Sequence, residues 1–293
     1  MTGNPLDTAQ GTRARLFALL RGIIFFALAF AMGAVLLFAA TKLLGTLDFD
    51  KAPGPSFLIP INLALVVATV LIPTAIMALI TRERPARFGF PRAGAVGQLT
   101  LGVFTGLLAM SALMGLMALL GGVRSWTFEP LGAATAMNGA GYVCVFALTA
   151  ISEEGGLRAY GLAQLSRAIS FWPAAIVTSI LFIVLHLGHK TESIVGLAQV
   201  GIIGMILAWS FRRSGALWFA LGCHGAWDFA ETYVYGVPDS GMTAPGALSH
   251  IVLQGPDWMT GGVTGPEASW LAFLALAGIA LTVHLALRPA LAA

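Results

Sequence analysis

The sequence predicts an all-α fold, a polytopic membrane helical bundle of about eight transmembrane helices forming a single membrane domain over residues 1–293. Three observations carry that prediction. Hydrophobic residues make up 58% of the chain and charged residues 10%, where a soluble domain carries about 25% charged residues. Eight apolar segments come near the ~20 residues that a helix needs to cross the hydrocarbon. Lys and Arg collect in alternate hinges between those segments, which is the pattern of the positive-inside rule.

The first segment, 20–43, follows Arg13 and Arg15, contains Arg21 at its start, and includes "GIIFFALAFAMGAVLLFAAT". It is longer than a signal-peptide core and reads as a retained span. The second, 57–80, runs into "TRERPARFGFPR", with Arg82, Arg84, Arg87 and Arg92. The third, 95–120, places Met110, Met114 and Met117 at helical spacing, a packing stripe. The fourth, 138–166, carries "ISEEGGLRAY" and ends beside Arg167. The fifth and sixth, 171–188 and 193–211, are joined through "GHKTES", and the sixth leads into Arg212 and Arg213. The seventh is 214–233. The eighth, 268–287, has Trp258 and Trp270 near its start, where they suit interfacial anchoring, and Arg288 after it.

Eight spans put every arginine-rich hinge and both termini on one side, the cytoplasmic side of a bacterial inner membrane. The other side receives "LDFDKAPGPS", "RSWTFEP", "GHKTES" and residues 236–267, a stretch without Lys or Arg. The net charge of +3 is therefore a topology signal, and no nucleic-acid partner is expected. Cys144 and Cys223 each lie in an apolar run and read as packing residues. No Cys-based zinc spacing is present.

The ionisable residues left inside the spans are Glu153, Glu154, Arg158, His186, His189, His224, Asp228 and Glu231. Such residues are costly in lipid and point to function. Counted from the nearest arginine-bearing hinge, Glu153, His186, His224 and Asp228 lie about 16–23 Å deep at ~1.5 Å per residue. Three helices therefore bring polar groups to one layer. Glu154 and Arg158 are four residues apart and can pair along one helix face, which leaves Glu153 pointing elsewhere. Phe182 can pack beside His186 at the same spacing, and Asp228 beside His224. His189 lies nearer the surface, next to Lys190. Gly155 and Gly156 let either a neighbouring helix or a substrate backbone come close. The excess carboxylate charge requires a proton, protonated histidines or a bound cation. Glu153, His186, His224 and Asp228 suit both a zinc site and a metal-free acid–base site.

"EEGGLR" fits EExxxR, "FIVLH" fits FxxxH and "HGAWD" fits Hxxx(N/D). In this order, over about 75 residues, the motifs resemble the CPBP family of CAAX proteases and bacteriocin-processing proteins, also called Abi. The catalytic core then spans about 138–233. The resemblance implies an eight-helix intramembrane endopeptidase opening toward the cytosol and cutting near the cytoplasmic side. It implies that Glu153 and His186 activate water, that His224 and Asp228 stabilise the oxyanion, and that Arg158 is structural. Asp228 departs from the Asn of eukaryotic CAAX proteases, and an aspartate donates a hydrogen bond only when protonated. The expected roles are Glu153 as general base, His186 as its partner on the water, His224 at the peptide carbonyl with Asp228 orienting it, and Glu154–Arg158 as a structural pair. The expected substrate is a peptide or protein, lipidated or otherwise membrane-associated. The competing readings are a non-catalytic immunity or scaffold protein and a proton-coupled transporter.

Overall fold

The computed structural model describes residues 6–9, 11–44, 54–83, 88–187, 193–243 and 245–287; His189 and Lys190 lie outside them. The helices are α1 (Thr12–Leu44), α2 (Pro55–Val66), α3 (Ile72–Thr81), α4 (Ala95–Leu119), α5 (Ala133–Glu154), α6 (Tyr160–Ile169), α7 (Phe171–His186), α8 (Ile194–Ser214), α9 (Trp218–Phe229), α10 (Asp257–Thr260) and α11 (Ala272–Ala286). Each of the eight apolar segments coincides with a helix or a run of joined helices. Among the described residues, five stretches are long and apolar enough to cross a membrane: Thr12–Leu43, Pro55–Thr81, Ala95–Leu119, Ala133–Ile169 and Ile194–Ser214. Phe171–His186 and Ala272–Ala286 are shorter apolar helices. Helices suit this role because lipid offers no partner to an unpaired backbone group. Large apolar side chains such as Phe104, Leu119 and Leu285 are exposed on the bundle exterior, as lipid contact permits.

Among the described residues, three single π-helical turns interrupt the rods, at Val67–Leu71, Gly155–Ala159 and Ala230–Val234. Such turns gather at functional positions. The first ends just before Pro73, whose ring nitrogen has no hydrogen to donate. It packs against the second: Val70 fills the space where a side chain on Gly155 would stand, at 3.1 Å. Gly155 therefore serves helix packing. A two-stranded antiparallel sheet, β1 (Val123–Phe128) with β2 (Ser249–Leu253), was not expected from the apolar pattern. Both cysteines are free, Cys223 buried and Cys144 exposed.

The bundle has two distinct ends. At one, the arginine-bearing hinges are tied together. The Ala9 amide donates to the Arg167 carbonyl at 2.9 Å, and the Leu217 amide to the Gly89 carbonyl at 2.8 Å. Trp218 Nε1 donates to the Pro91 carbonyl at 2.7 Å. Arg167 pairs with Glu83 at 3.0 Å, and Arg213 Nε donates to the Leu287 carbonyl at 2.6 Å. Phe25, Phe88, Tyr160, Phe171, Phe211 and Leu217 fill the interior above these hinges, each at most 2% exposed. At the other end, β1 and β2 pair, Tyr142 Oη donates to the Pro245 carbonyl at 2.7 Å, and Gln199 Nε2 donates to the Ser269 carbonyl at 2.6 Å.

Glycines set the position of α9. Gly102 and Gly106 on α4 stand against the Phe219 and Cys223 carbonyls, and Gly222 on α9 stands against the Leu99 carbonyl. A Cβ at any of the three would overlap backbone, which cannot yield as a flexible side chain would. This is the small-xxx-small contact of membrane helices, and it holds α9 and its polar side chains at a fixed distance from α4.

Candidate active site

Glu153 and Glu154 close α5, Arg158 sits in the π-turn that follows, His186 ends α7, and His224 and Asp228 face inward from α9. Glu153, His186, His224 and Asp228 line one cavity of about 410 Å³. The layer expected from helix counting is therefore assembled.

His224 is the centre of the site. Its Nδ1 donates to Glu154 Oε1 at 3.0 Å. Its Nε2 lies 3.5 Å from Asp228 Oδ2 and 3.6 Å from Glu153 Oε2. The same Glu154 oxygen accepts from Arg158 Nη1 at 2.9 Å, and both of those side chains are fully buried. Two expectations change. Glu154 is more than half of a structural pair, since it is the residue that fixes the histidine ring. Asp228 does not hold the orienting position; it shares the Nε2 side of the ring with Glu153. The cause is geometric: four-residue spacing gives Asp228 access to only one edge of the imidazole, and Arg158 holds Glu154 at the other.

Three carboxylates surround one imidazole, Glu154 on the Nδ1 side and Glu153 with Asp228 on the Nε2 side. Glu153 retains 30% side-chain exposure, against 13% for His224 and 14% for Asp228. Glu153 is thus the carboxylate best placed to meet water. His186 Nδ1 lies 2.9 Å from the Phe182 carbonyl. Only a protonated Nδ1 can donate to that acceptor, which leaves Nε2 as the acceptor nitrogen of the neutral ring. The Phe182 ring ties the site together. It meets the His186 ring edge-on at 4.6 Å, lies 6.2 Å from His224 and sits beneath the Arg158 guanidinium at 4.4 Å. Gly204 makes room for that guanidinium, because a Cβ there would fall 2.8 Å from Arg158 Nη2.

Glu153, His186, His224 and Asp228 are not among the described groups whose ligand atoms gather within 4.8 Å. Among the described residues, the group whose ligand atoms gather within 4.8 Å is Glu231, Asp239 and Glu267. Glu231 is fully buried, and its Oε2 accepts from Trp227 Nε1 at 3.0 Å. Asp239 accepts from Thr232 Oγ1 at 3.1 Å, and Glu267 Oε1 accepts from the Ser240 amide and hydroxyl at 2.7 and 2.8 Å. Burial, together with the Asp228 and Glu267 charges, pushes the Asp239 carboxyl well above the usual range. Asp239 and Glu267 also line the cavity. Sequence reading missed both. The available signal was three acids, Asp239, Asp257 and Glu267, in a 32-residue stretch, 236–267, that lacks Lys and Arg.

Residues 135–230 match the family model described as Type II CAAX prenyl endopeptidase Rce1-like. No curated protein matches the chain. The matched stretch runs from α5 to the end of α9 and holds all three motifs, and at family level it supports an intramembrane endopeptidase.

Proposed function

We propose that this protein is an intramembrane endopeptidase of the CAAX-protease type, in which Glu153 and His186 activate the water and His224 stabilises the oxyanion. The observation that carries the reading is the clamping of His224 between Glu154 on Nδ1 and Glu153 with Asp228 on Nε2, inside a cavity that also holds His186. In the ionised site, a water resting between Glu153 and His186 Nε2 loses a proton to Glu153 as its oxygen adds to the peptide carbonyl carbon. Negative charge passes to the carbonyl oxygen, where the His224 Nε2–H donates to it. Collapse of the tetrahedral species breaks the C–N bond, and the proton on Glu153 passes to the leaving amine. The acid and amine so formed exchange the remaining water proton and leave as a carboxylate and an ammonium.

In this reading Asp228, 3.5 Å from His224 Nε2, faces the charge of that ring and needs no amide donor at its position. Arg158 pairs with Glu154, so that each buried charge has its counter-charge in an apolar layer. The substrate is a peptide or protein at the membrane, lipidated or otherwise anchored, reached within an integral membrane protein. A zinc ion would have to draw Glu153 and Asp228 together around His224 Nε2, and no step above depends on one.

The test compares membrane peptides in cells making the wild type and Glu153→Gln at equal folded levels. Removing a general base costs about 10²–10⁴ in rate, so peptides present with the wild type should vanish and their precursors accumulate. An identical peptide set would favour the non-catalytic scaffold.

A further inference from the structure

We infer that the cavity opens on the side of the membrane away from the cytoplasm, so that peptides reach the site from outside. The word "peptide" rests on the proposed peptidase activity; the direction of opening does not.

Most of the cavity lining lies toward the end opposite the arginine hinges or at mid-depth, and Leu207 and Cys223 reach nearest to the hinges. On α1 the cavity touches only Leu37, 25 residues beyond the helix start at Thr12. On α2 it begins at Leu58, one turn from the far end. On α7 it meets Phe182 and His186 in the last turns, and no residue of α6 reaches it. Its rim is completed by Asp239, Ser240, Met242, Thr243 and Glu267 from the segment that packs with β2 at the far end. Toward the arginine hinges the described residues close the way. Phe88 packs on Tyr160 with ring centroids 4.6 Å apart, Phe25 on Tyr160 at 5.2 Å, and Leu217 against Gly89.

The charge pattern orients these ends. Among the described residues, Arg13, Arg15, Arg21, Arg82, Arg92, Arg167, Arg212 and Arg213 lie at the closed end, and Lys42 and Arg124 at the open end. Lys and Arg near span ends mark the cytoplasmic side. The closed end therefore faces the cytoplasm, and the cavity faces outward. This departs from the cytosolic opening implied by the family resemblance. A cytoplasmic C-terminal peptide would have no route to Glu153, whereas a segment exported or held at the outer leaflet would. The acidic rim at Asp239 and Glu267 admits neutral or cationic segments more readily than acidic ones.

The test is cysteine labelling of the full chain carrying Cys144→Ser and Cys223→Ala. Single cysteines replace Thr243 at the rim, exposed Val263 in the same segment, and exposed Ala93 in an arginine hinge. A membrane-impermeant maleimide is applied to cells with a permeabilised envelope and an intact inner membrane, and separately to inverted vesicles. The expected result is labelling of Thr243→Cys and Val263→Cys in cells, and of Ala93→Cys only in inverted vesicles. The reverse pattern, or labelling of each site from both sides, overturns the inference. If Thr243→Cys perturbs the rim, Val263→Cys and Ala93→Cys still decide. The same labelling in a Glu153→Gln background separates orientation from chemistry: the pattern should persist even if that variant changes no peptide.

Discussion

Glu154→Gln removes one charge from a carboxylate that serves two partners. In the wild type its Oε1 accepts from Arg158 Nη1 at 2.9 Å and from His224 Nδ1 at 3.0 Å, with Glu154 and Arg158 fully buried. Losing one member of a buried ion pair costs about 3–5 kcal/mol. The glutamine carbonyl still offers a neutral acceptor, and the Phe182 face 4.4 Å from the guanidinium supports part of the cation. The loss should therefore fall near the lower figure, about 3 kcal/mol, or roughly a hundredfold in the folded-to-unfolded ratio. A second effect should appear in the molecules that remain folded. With a neutral residue on Nδ1, His224 is less well held as imidazolium, and the oxyanion donor weakens. Turnover per folded molecule should fall by about 10²–10³, the range for a lost oxyanion donor. Reversible unfolding in mixed micelles measures the first effect, and cleavage of a Glu153-dependent peptide measures the second. A double-mutant cycle with His224→Ala separates them, because the coupling must vanish when the ring is absent. Wild-type turnover per folded Glu154→Gln molecule would refute the claim that Glu154 positions His224.

Gly106→Leu should push α9 from α4 and abolish turnover while the chain still inserts, whereas Gly115→Leu on the same helix, where nothing lies within 4 Å of an added Cβ, should be neutral; cleavage and protein levels of the pair check this. Asp239→Asn should stabilise the protein at neutral pH. The raised carboxyl binds its proton more tightly in the folded state, so folded stability falls as pH rises from the ordinary carboxylate range through the raised value. Unfolding midpoints between pH 4 and 8 should be flatter in the variant, whose side-chain oxygen still accepts from Thr232; parallel curves would count against it. Phe182→Leu should lower turnover more than stability, since the ring packs against His186 and beneath Arg158, and equal losses in both would reduce it to a core residue.

The polar layer was legible in the sequence because ionisable groups are scarce in lipid, and residue counting along helices gives their depth. The Phe182–His186 contact followed from the same arithmetic. The role of Glu154 did not, because spacing along one helix can pair Glu154 with Arg158 but cannot report that His224 arrives from α9. The α4–α9 contact was written in "LGVFTGLL", where Gly102 and Gly106 stand four apart, yet the stripe of Met110, Met114 and Met117 drew the reading toward ordinary packing. β1 and β2 escaped notice because each is short and stable only through the other. Asp239 and Glu267 lie outside any apolar run, and only the fold returns their segment to the cavity.

The aromatic floor formed by Phe25, Phe88, Tyr160 and Phe211 has a consequence for the cell's energetics. The proposed hydrolysis at mid-depth demands water well inside the hydrocarbon, and a continuous wet path would be a leak for protons and ions. A blind well avoids this. It hydrates the carboxylates from one face while several layers of ring and leucine insulate the other. With the proposed outward opening, the electrochemical gradient drops across that floor, and the proposed chemistry sits at nearly the potential of the outer aqueous phase.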